Sequence, residues 1–245
     1  MTFPSYIHSV VPSSDTTAWP VQGQGVNECG CTVAANALNL ISGRQRYTKD
    51  EFVRQAGLFF QRRLGGSISP VTGWLIKQHG FGTHFGNLSR TDADTVLRDL
   101  VDRGVPVVVE IGTTRVGPLE IYGQHSILLV GYSEQYTDSG GTGREEYYFV
   151  DSEWPELGKF DLAANDVVMN GVRTALPGNR TISREEFSRM YEQKIYFPVF
   201  RTQAEHDAWY YKHIRVETGK PLLGSLRSSW ITGSYDIWVG PRRSK

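Results

Sequence analysis

Cysteine is scarce: two in 245 residues, Cys29 and Cys31, separated only by Gly30. Cysteines that close rarely reach disulfide geometry, and no further Cys or His stands nearby at metal-ligand spacing. The chain therefore carries neither a disulfide framework nor a zinc motif, and a reducing, cytoplasmic setting is expected. Charge of one sign is lacking too. The 26 basic and 26 acidic residues cancel, which argues against nucleic acid or an anionic membrane as partner. No apolar run approaches the ~18 residues of a membrane-crossing helix, so no transmembrane segment is expected. The start, Met1-Thr2-Phe3-Pro4-Ser5-Tyr6, has neither the basic end nor the apolar stretch of a secretory signal; a trimmed exported form would read the same. Internal repeats and low-complexity tracts are missing as well.

What remains is an ordinary folding composition, 39% hydrophobic and 21% charged. Residues 1–28, rich in Ser, Pro, Gly and Thr, read as an extended lead-in. The Ala- and Leu-rich run from Cys31 to Ile41 predicts a helix, with Gly43 as its stop. Thr48 followed by Glu51 is a capping-box pattern that opens a second helix, to about Phe60. Ser69-Pro70 opens a third, and Thr91 or Asp92 caps a fourth that Gly104 ends. The character then changes. Val105–Ile111, Ser126–Tyr132 and Glu146–Asp151 are β-branched or aromatic runs and predict strands. Residues 152–180 read as an irregular insertion. Ser183 followed by Glu186 predicts a late helix, and Lys194–Phe200 a last strand. Residues 201–245 form an aromatic-rich extension (Trp209, Tyr210, Tyr211, Trp230, Tyr235, Trp238) expected to pack on the same domain. Helices first and strands after indicate an α+β fold.

Three residues carry the chemistry. Cys29 stands at the start of the first predicted helix, where backbone N–H groups and the helix dipole favour an anion; a thiolate there is a nucleophile. Gly30 would let the backbone approach a substrate carbonyl. Cys31 competes for the role, with core packing as its plainer use. His125 opens an apolar strand and so faces a cleft rather than the core, and its near-neutral titration suits a general base. His8, His79, His84, His206 and His213 lack that context. Asp151 ends the next strand, where a carboxylate can hold and orient a histidine on its neighbour. Upstream of Cys29 stand Gln22 and Gln24; a side-chain amide from either, with the Cys29 backbone N–H, would make an oxyanion hole. Glu28 puts a negative charge beside the thiol and calls for compensation.

In order, the stretches Glu28-Cys29-Gly30-Cys31-Thr32, Gly104-Val105-Pro106-Val107-Val108, His125-Ser126-Ile127-Leu128-Leu129-Val130-Gly131-Tyr132 and Phe149-Val150-Asp151 resemble the bacterial double-glycine leader peptidases and their relatives, which are papain-like cysteine peptidases. The resemblance runs from about residue 20 to 200. It implies a papain-like fold, N-terminal helices packed on a C-terminal antiparallel sheet, in a catalytic domain of residues 1–200. It implies Cys29 as nucleophile in preference to Cys31, His125 as base, Asp151 as orienter and Gln24 or Gln22 at the oxyanion. It calls for a peptide or protein substrate and for no metal or cofactor. Acyl transfer on the same fold, or a silent binding module, are the other uses. This chain departs from the family pattern at Gly23, where the glutamine commonly stands, at Cys31, and at Ser152, where proline commonly follows the Asp.

Overall fold

The structure, a computed structural model, describes residues 5–11, 20–64, 66–88, 92–112, 125–137, 143–154, 161–162, 165–169 and 172–213. Six helices stand among them: α1 Cys29–Ser42, α2 Lys49–Ala56, α3 Ser69–Gln78, α4 Ala93–Asp102, α5 Arg184–Met190 and α6 Gln203–His213. The main sheet has seven strands: β1 Ile7–Ser9, β2 Gly86–Asn87, β3 Val107–Ile111, β4 His125–Ser133, β5 Glu146–Val150, β6 Arg180–Ser183 and β7 Ile195–Pro198. Their order is β6-β5-β4-β3-β7-β2, with β1 paired to β4 at residues 131–133. Every pairing is antiparallel. This is the expected α+β arrangement, helices before sheet.

The caps fall where the spacing placed them. Thr48 accepts from the Glu51 N–H, Asp92 from Asp94 and Thr95, and Ser183 from Glu186; each cap is worth about 1 kcal/mol. Three expectations need correction. Helix α2 ends at Ala56 and passes into a tight turn over Gly57–Phe59. The lead-in contains β1, whose apolar Ile7 is buried in the core. Residues 152–180 are not irregular throughout. Asp161–Leu162 pairs with Pro20–Val21, and Asp166–Met169 pairs with Val172–Ala175 as a two-stranded ribbon. Of the aromatic extension, Trp209 and Tyr210 of α6 are buried; residues 214–245, with Trp230, Tyr235 and Trp238, lie outside the described residues.

The central strands read as unbroken apolar runs because both faces of the sheet are covered. Side chains alternate along β4. Leu128 and Val130 enter a cluster with α1, α2 and α3 through Val33, Leu38, Phe52, Leu75 and Ile76. Ile127 and Leu129 enter a second cluster with α4, α5 and α6 through Leu97, Leu100, Phe187 and Trp209. Each such fully buried side chain contributes about 1.5–3 kcal/mol. Helix α1 is buried along most of its length. Its polar residues are buried because they bind loops. Asn36 bonds both backbone groups of Gln22, and Asn39 bonds the Arg46 and Tyr47 N–H groups and the Tyr47 carbonyl. The Asn36 bonds fix the segment that leads into Cys29, and the Asn39 bonds fix the loop that follows α1.

One buried acid sets a pH dependence. Glu110 on β3 is 3% exposed, and its carboxyl accepts from Ser69 Oγ at 2.7 Å. Burial raises the carboxyl from 4.5 to about 7, against the pull of the Ser69 bond. The unfolded chain releases this proton near 4.5 while the folded chain holds it to about 7. Stability therefore falls as pH rises between those values, by about 3 kcal/mol, and stays lower above them. Glu110→Gln is expected to flatten that slope in thermal melts recorded from pH 4.5 to 8. A variant melting curve with the full wild-type slope would assign the dependence to another group.

Candidate active site

Three elements meet at one end of the sheet. Helix α1 begins at Cys29, β4 begins at His125, and β5 ends at Val150, just before Asp151. Because β4 and β5 are antiparallel neighbours with Leu128 opposite Val150, the start of one lies beside the end of the other. The ladder between them slips by one residue at Tyr148/Phe149, a β-bulge that adds local twist.

His125 Nε2 donates to Asp151 Oδ1 at 2.7 Å. A carboxylate only accepts, so the proton sits on Nε2. The ring is also hydrogen-bonded to the Cys29 thiol. Burial pulls the imidazole toward its neutral form, but the bonds to Asp151 and Cys29 and their charges outweigh it and raise the ring from 6.5 to about 10. The structure thus brings Cys29, His125 and Asp151 into one hydrogen-bonded row.

Asp151 is 1% exposed. Oδ1 also accepts from the Glu153 N–H at 3.0 Å, and Oδ2 accepts from Arg180 Nη1 at 2.6 Å. Burial favours the neutral acid, yet His125, the Glu153 N–H and Arg180 together hold the carboxyl below its usual range. Its backbone is clamped as well. Asn179 Oδ1 accepts from the Asp151 N–H and Nδ2 donates to the Asp151 carbonyl, both at 2.8 Å. The Asn179 side chain also donates to the Trp154 carbonyl. The turn that delivers Asn179 requires Gly178. Its φ is +73°, and a Cβ there would stand 2.1 Å from the Phe149 carbonyl oxygen.

Gln24 and Gln22 part company. Gln22 is 2% exposed, and its amide is spent on the Tyr47 carbonyl and the Lys49 N–H, both at 2.9 Å. Both ends of its amide are thus engaged within the core. Gln24 is tied to Ser152, the residue after Asp151. Its N–H bonds the Ser152 carbonyl at 3.1 Å, and Ser152 Oγ donates to Gln24 Oε1 at 2.6 Å. That bond holds the carbonyl end of the amide.

Cys31 is fully buried, and burial with the neighbouring Cys29 pushes its thiol up to about 12. It packs the core. Gly30 serves packing too. A Cβ there would lie 2.9 Å from Ser67 Oγ and Thr72 Oγ1, so its lack of a side chain admits those neighbours. Glu28 receives the compensation its place requires. It is 3% exposed and bonded to Lys49 Nζ at 2.6 Å, to the Arg62 guanidinium and to the Gly25 N–H. Burial pushes its carboxyl up, but those three partners bring it below the usual range.

Sequence reasoning missed Arg180, Asn179 and Ser152. Nothing in local spacing marks a guanidinium 29 residues beyond Asp151 as its partner; in the sequence Ser152 stands out only as a departure from the family pattern. Lys49 and Arg62 were required by Glu28 but not identifiable. Among the described residues no group of three or more His, Cys, Asp or Glu is arranged to hold a metal ion, and no helix is long and apolar enough to cross a membrane.

A family model described as "Peptidase_C39 like family" matches residues 11–161. No curated protein matches the chain. Among solved structures, one described as the crystal structure analysis of SERA5E from Plasmodium falciparum is similar at 12% identity and a TM-score of 0.47, over 82% of this chain and 97% of that one.

Proposed function

The chain belongs to the Peptidase_C39-like family, and from that premise we propose that it is a papain-like cysteine peptidase or amidase that works through an acyl-enzyme on Cys29. The observation that carries this reading is the unbroken row from the Cys29 thiol through His125 to the buried Asp151. With Nε2 committed to Asp151, Nδ1 is the ring nitrogen left to face sulfur.

Cys29 Sγ, its proton passed to His125, adds to the carbonyl carbon of a peptide or amide bond. The carbonyl oxygen becomes an oxyanion, held by the Cys29 backbone N–H at the open end of α1 and by Gln24 Nε2. His125 returns the proton to the leaving nitrogen, the C–N bond breaks, and a thioester remains on Cys29. A water molecule then attacks the thioester while His125 takes its proton. Sulfur departs, and the acid product leaves. Asp151 holds the ring in one orientation and stabilises its charged form.

The reading is tested with an amide-based electrophile that labels thiols. Cys29→Ala is expected to abolish labelling and hydrolysis, while Cys31→Ala keeps both. Equal labelling of the two variants would remove the assignment.

A further inference from the structure

A buried carboxylate beside a thiolate poses a charge problem that His125 alone does not solve. When the site is armed, its buried row holds the Cys29 thiolate, the His125 imidazolium and the Asp151 carboxylate, a net charge of minus one, and the mostly exposed Glu153 carboxylate stands 3.9 Å from His125 Nδ1 at the solvent side. Burying an uncompensated charge is strongly unfavourable. The cations near Glu28 are already engaged. Lys49 lies between Glu28 and Asp50, and Arg62 bonds Glu28. Arg180 supplies the missing charge. Each Asp151 oxygen takes one cationic partner, Oδ1 the imidazole at 2.7 Å and Oδ2 the guanidinium at 2.6 Å.

The placement of Arg180 is built into the fold. It is the first residue of β6, opposite Phe149 on β5, and its side chain is 20% exposed. It directly follows Asn179, which clamps the Asp151 backbone from both sides. The Trp154 ring stands 5.2 Å from its guanidinium carbon, an arrangement that favours a cation. Arg180 also lies beyond residues 11–161, the stretch that the family model matches. This part of the chain adds to the site what that stretch does not contain.

We propose that Arg180 is the fourth member of the site, a positioning residue that neutralises Asp151 from the side opposite His125 and so completes a charge-balanced thiolate–imidazolium–carboxylate–guanidinium row. The proposal rests on the reading of Cys29 as nucleophile. It assigns Arg180 no contact with substrate. Arg180 keeps Asp151 ionised and pins its second oxygen, so that the first stays aimed at Nε2.

The test is the rate at which iodoacetamide alkylates Cys29 in the full chain as a function of pH, with the modified residue located by peptide mapping. Removing a cation makes every nearby acid hold its proton longer. Arg180→Gln is therefore expected to move the rise of the rate to higher pH by about one unit, while Arg180→Lys, which keeps the charge, stays at the wild-type position. A merely structural role would lower the rate without moving the rise. An Arg180→Gln curve superimposable on wild type, or an Arg180→Lys curve displaced as far as Arg180→Gln, overturns the proposal. Should Arg180→Gln fail to fold, the double variant Asp151→Asn/Arg180→Gln, which leaves no lone carboxylate at Asp151, decides. It is expected to fold and melt cooperatively, and a double variant that also fails to fold overturns the proposal. Wild-type protein alkylated at Cys29 no faster than an ordinary thiol would sink the parent reading of Cys29. Fast, selective alkylation with an unmoved Arg180→Gln curve sinks only the role of Arg180.

Discussion

Replacing His125 by alanine is expected to lower kcat/KM for amide hydrolysis by about 10³- to 10⁴-fold. The ring acts three times in the proposed cycle: it takes the thiol proton, delivers it to the leaving nitrogen and takes another from water. No described neighbour can take over. Glu153 is the nearest alternative, 3.9 Å from His125 Nδ1 and mostly exposed. The pH profile carries the same signature. Asp151 and Cys29 keep His125 protonated up to about 10, so the wild-type rate on its alkaline side should hold well past 6.5 and fall only as that value is approached. The raised value also adds stability that is complete below pH 6.5 and is lost as pH rises through about 10. Initial rates from pH 5 to 11 on wild type and His125→Ala check both points. A variant within tenfold of wild type, or an alkaline fall near 6.5 in the wild type, would contradict the assignment.

The second large effect belongs to Gln24. If its amide receives the oxyanion, it acts only after the carbonyl carbon has been attacked, so its loss should fall on kcat and spare KM. Gln24→Ala is expected to cost about 10²- to 10³-fold in kcat. Ser152→Ala removes the hydroxyl that holds Gln24 Oε1 at 2.6 Å but keeps the amide, and should give a smaller loss in the same parameter. Steady-state kinetics on the two variants decide the matter. A Gln24→Ala enzyme that loses KM and keeps kcat would make Gln24 a substrate-binding residue instead.

The readable parts of this protein were those written locally. Caps at Thr48, Asp92 and Ser183 depend on a few consecutive residues and fall where expected. The three core strands declare themselves because burial on both faces turns each into an apolar run. Cys29, His125 and Asp151 are legible because each stands at the boundary of such an element, and antiparallel pairing brings boundaries together. What escaped depends on distance. Strand β1 is three residues long and owes its form to the edge of β4 rather than to its own propensity. That the Gln22 amide is consumed in the core is likewise invisible locally, because its partners Tyr47 and Lys49 come from another loop. Arg180 and Asn179 reach Asp151 only because the chain, after its ribbon, turns at Gly178 and comes back along β5.

His84 and His206, set aside in the sequence for want of a strand mouth, are buried and bonded to each other at 2.9 Å. Asp207 lies 3.1 Å from His206 Nδ1 and Tyr196 Oη lies 2.8 Å from His84 Nε2. Gln203 Nε2 lies 2.9 Å from the same His206 Nδ1, so a donor and an acceptor both face that nitrogen, and the bond between the two rings requires one to donate and the other to accept. Such a pair is matched, like a sentence whose words cannot be reversed one at a time. Exchanging either imidazole alone leaves a donor facing a donor or an acceptor facing none, deep between β7 and α6. The two positions should therefore drift through evolution as a couple, and aligned relatives in which they change independently would show that the pairing is not obligatory.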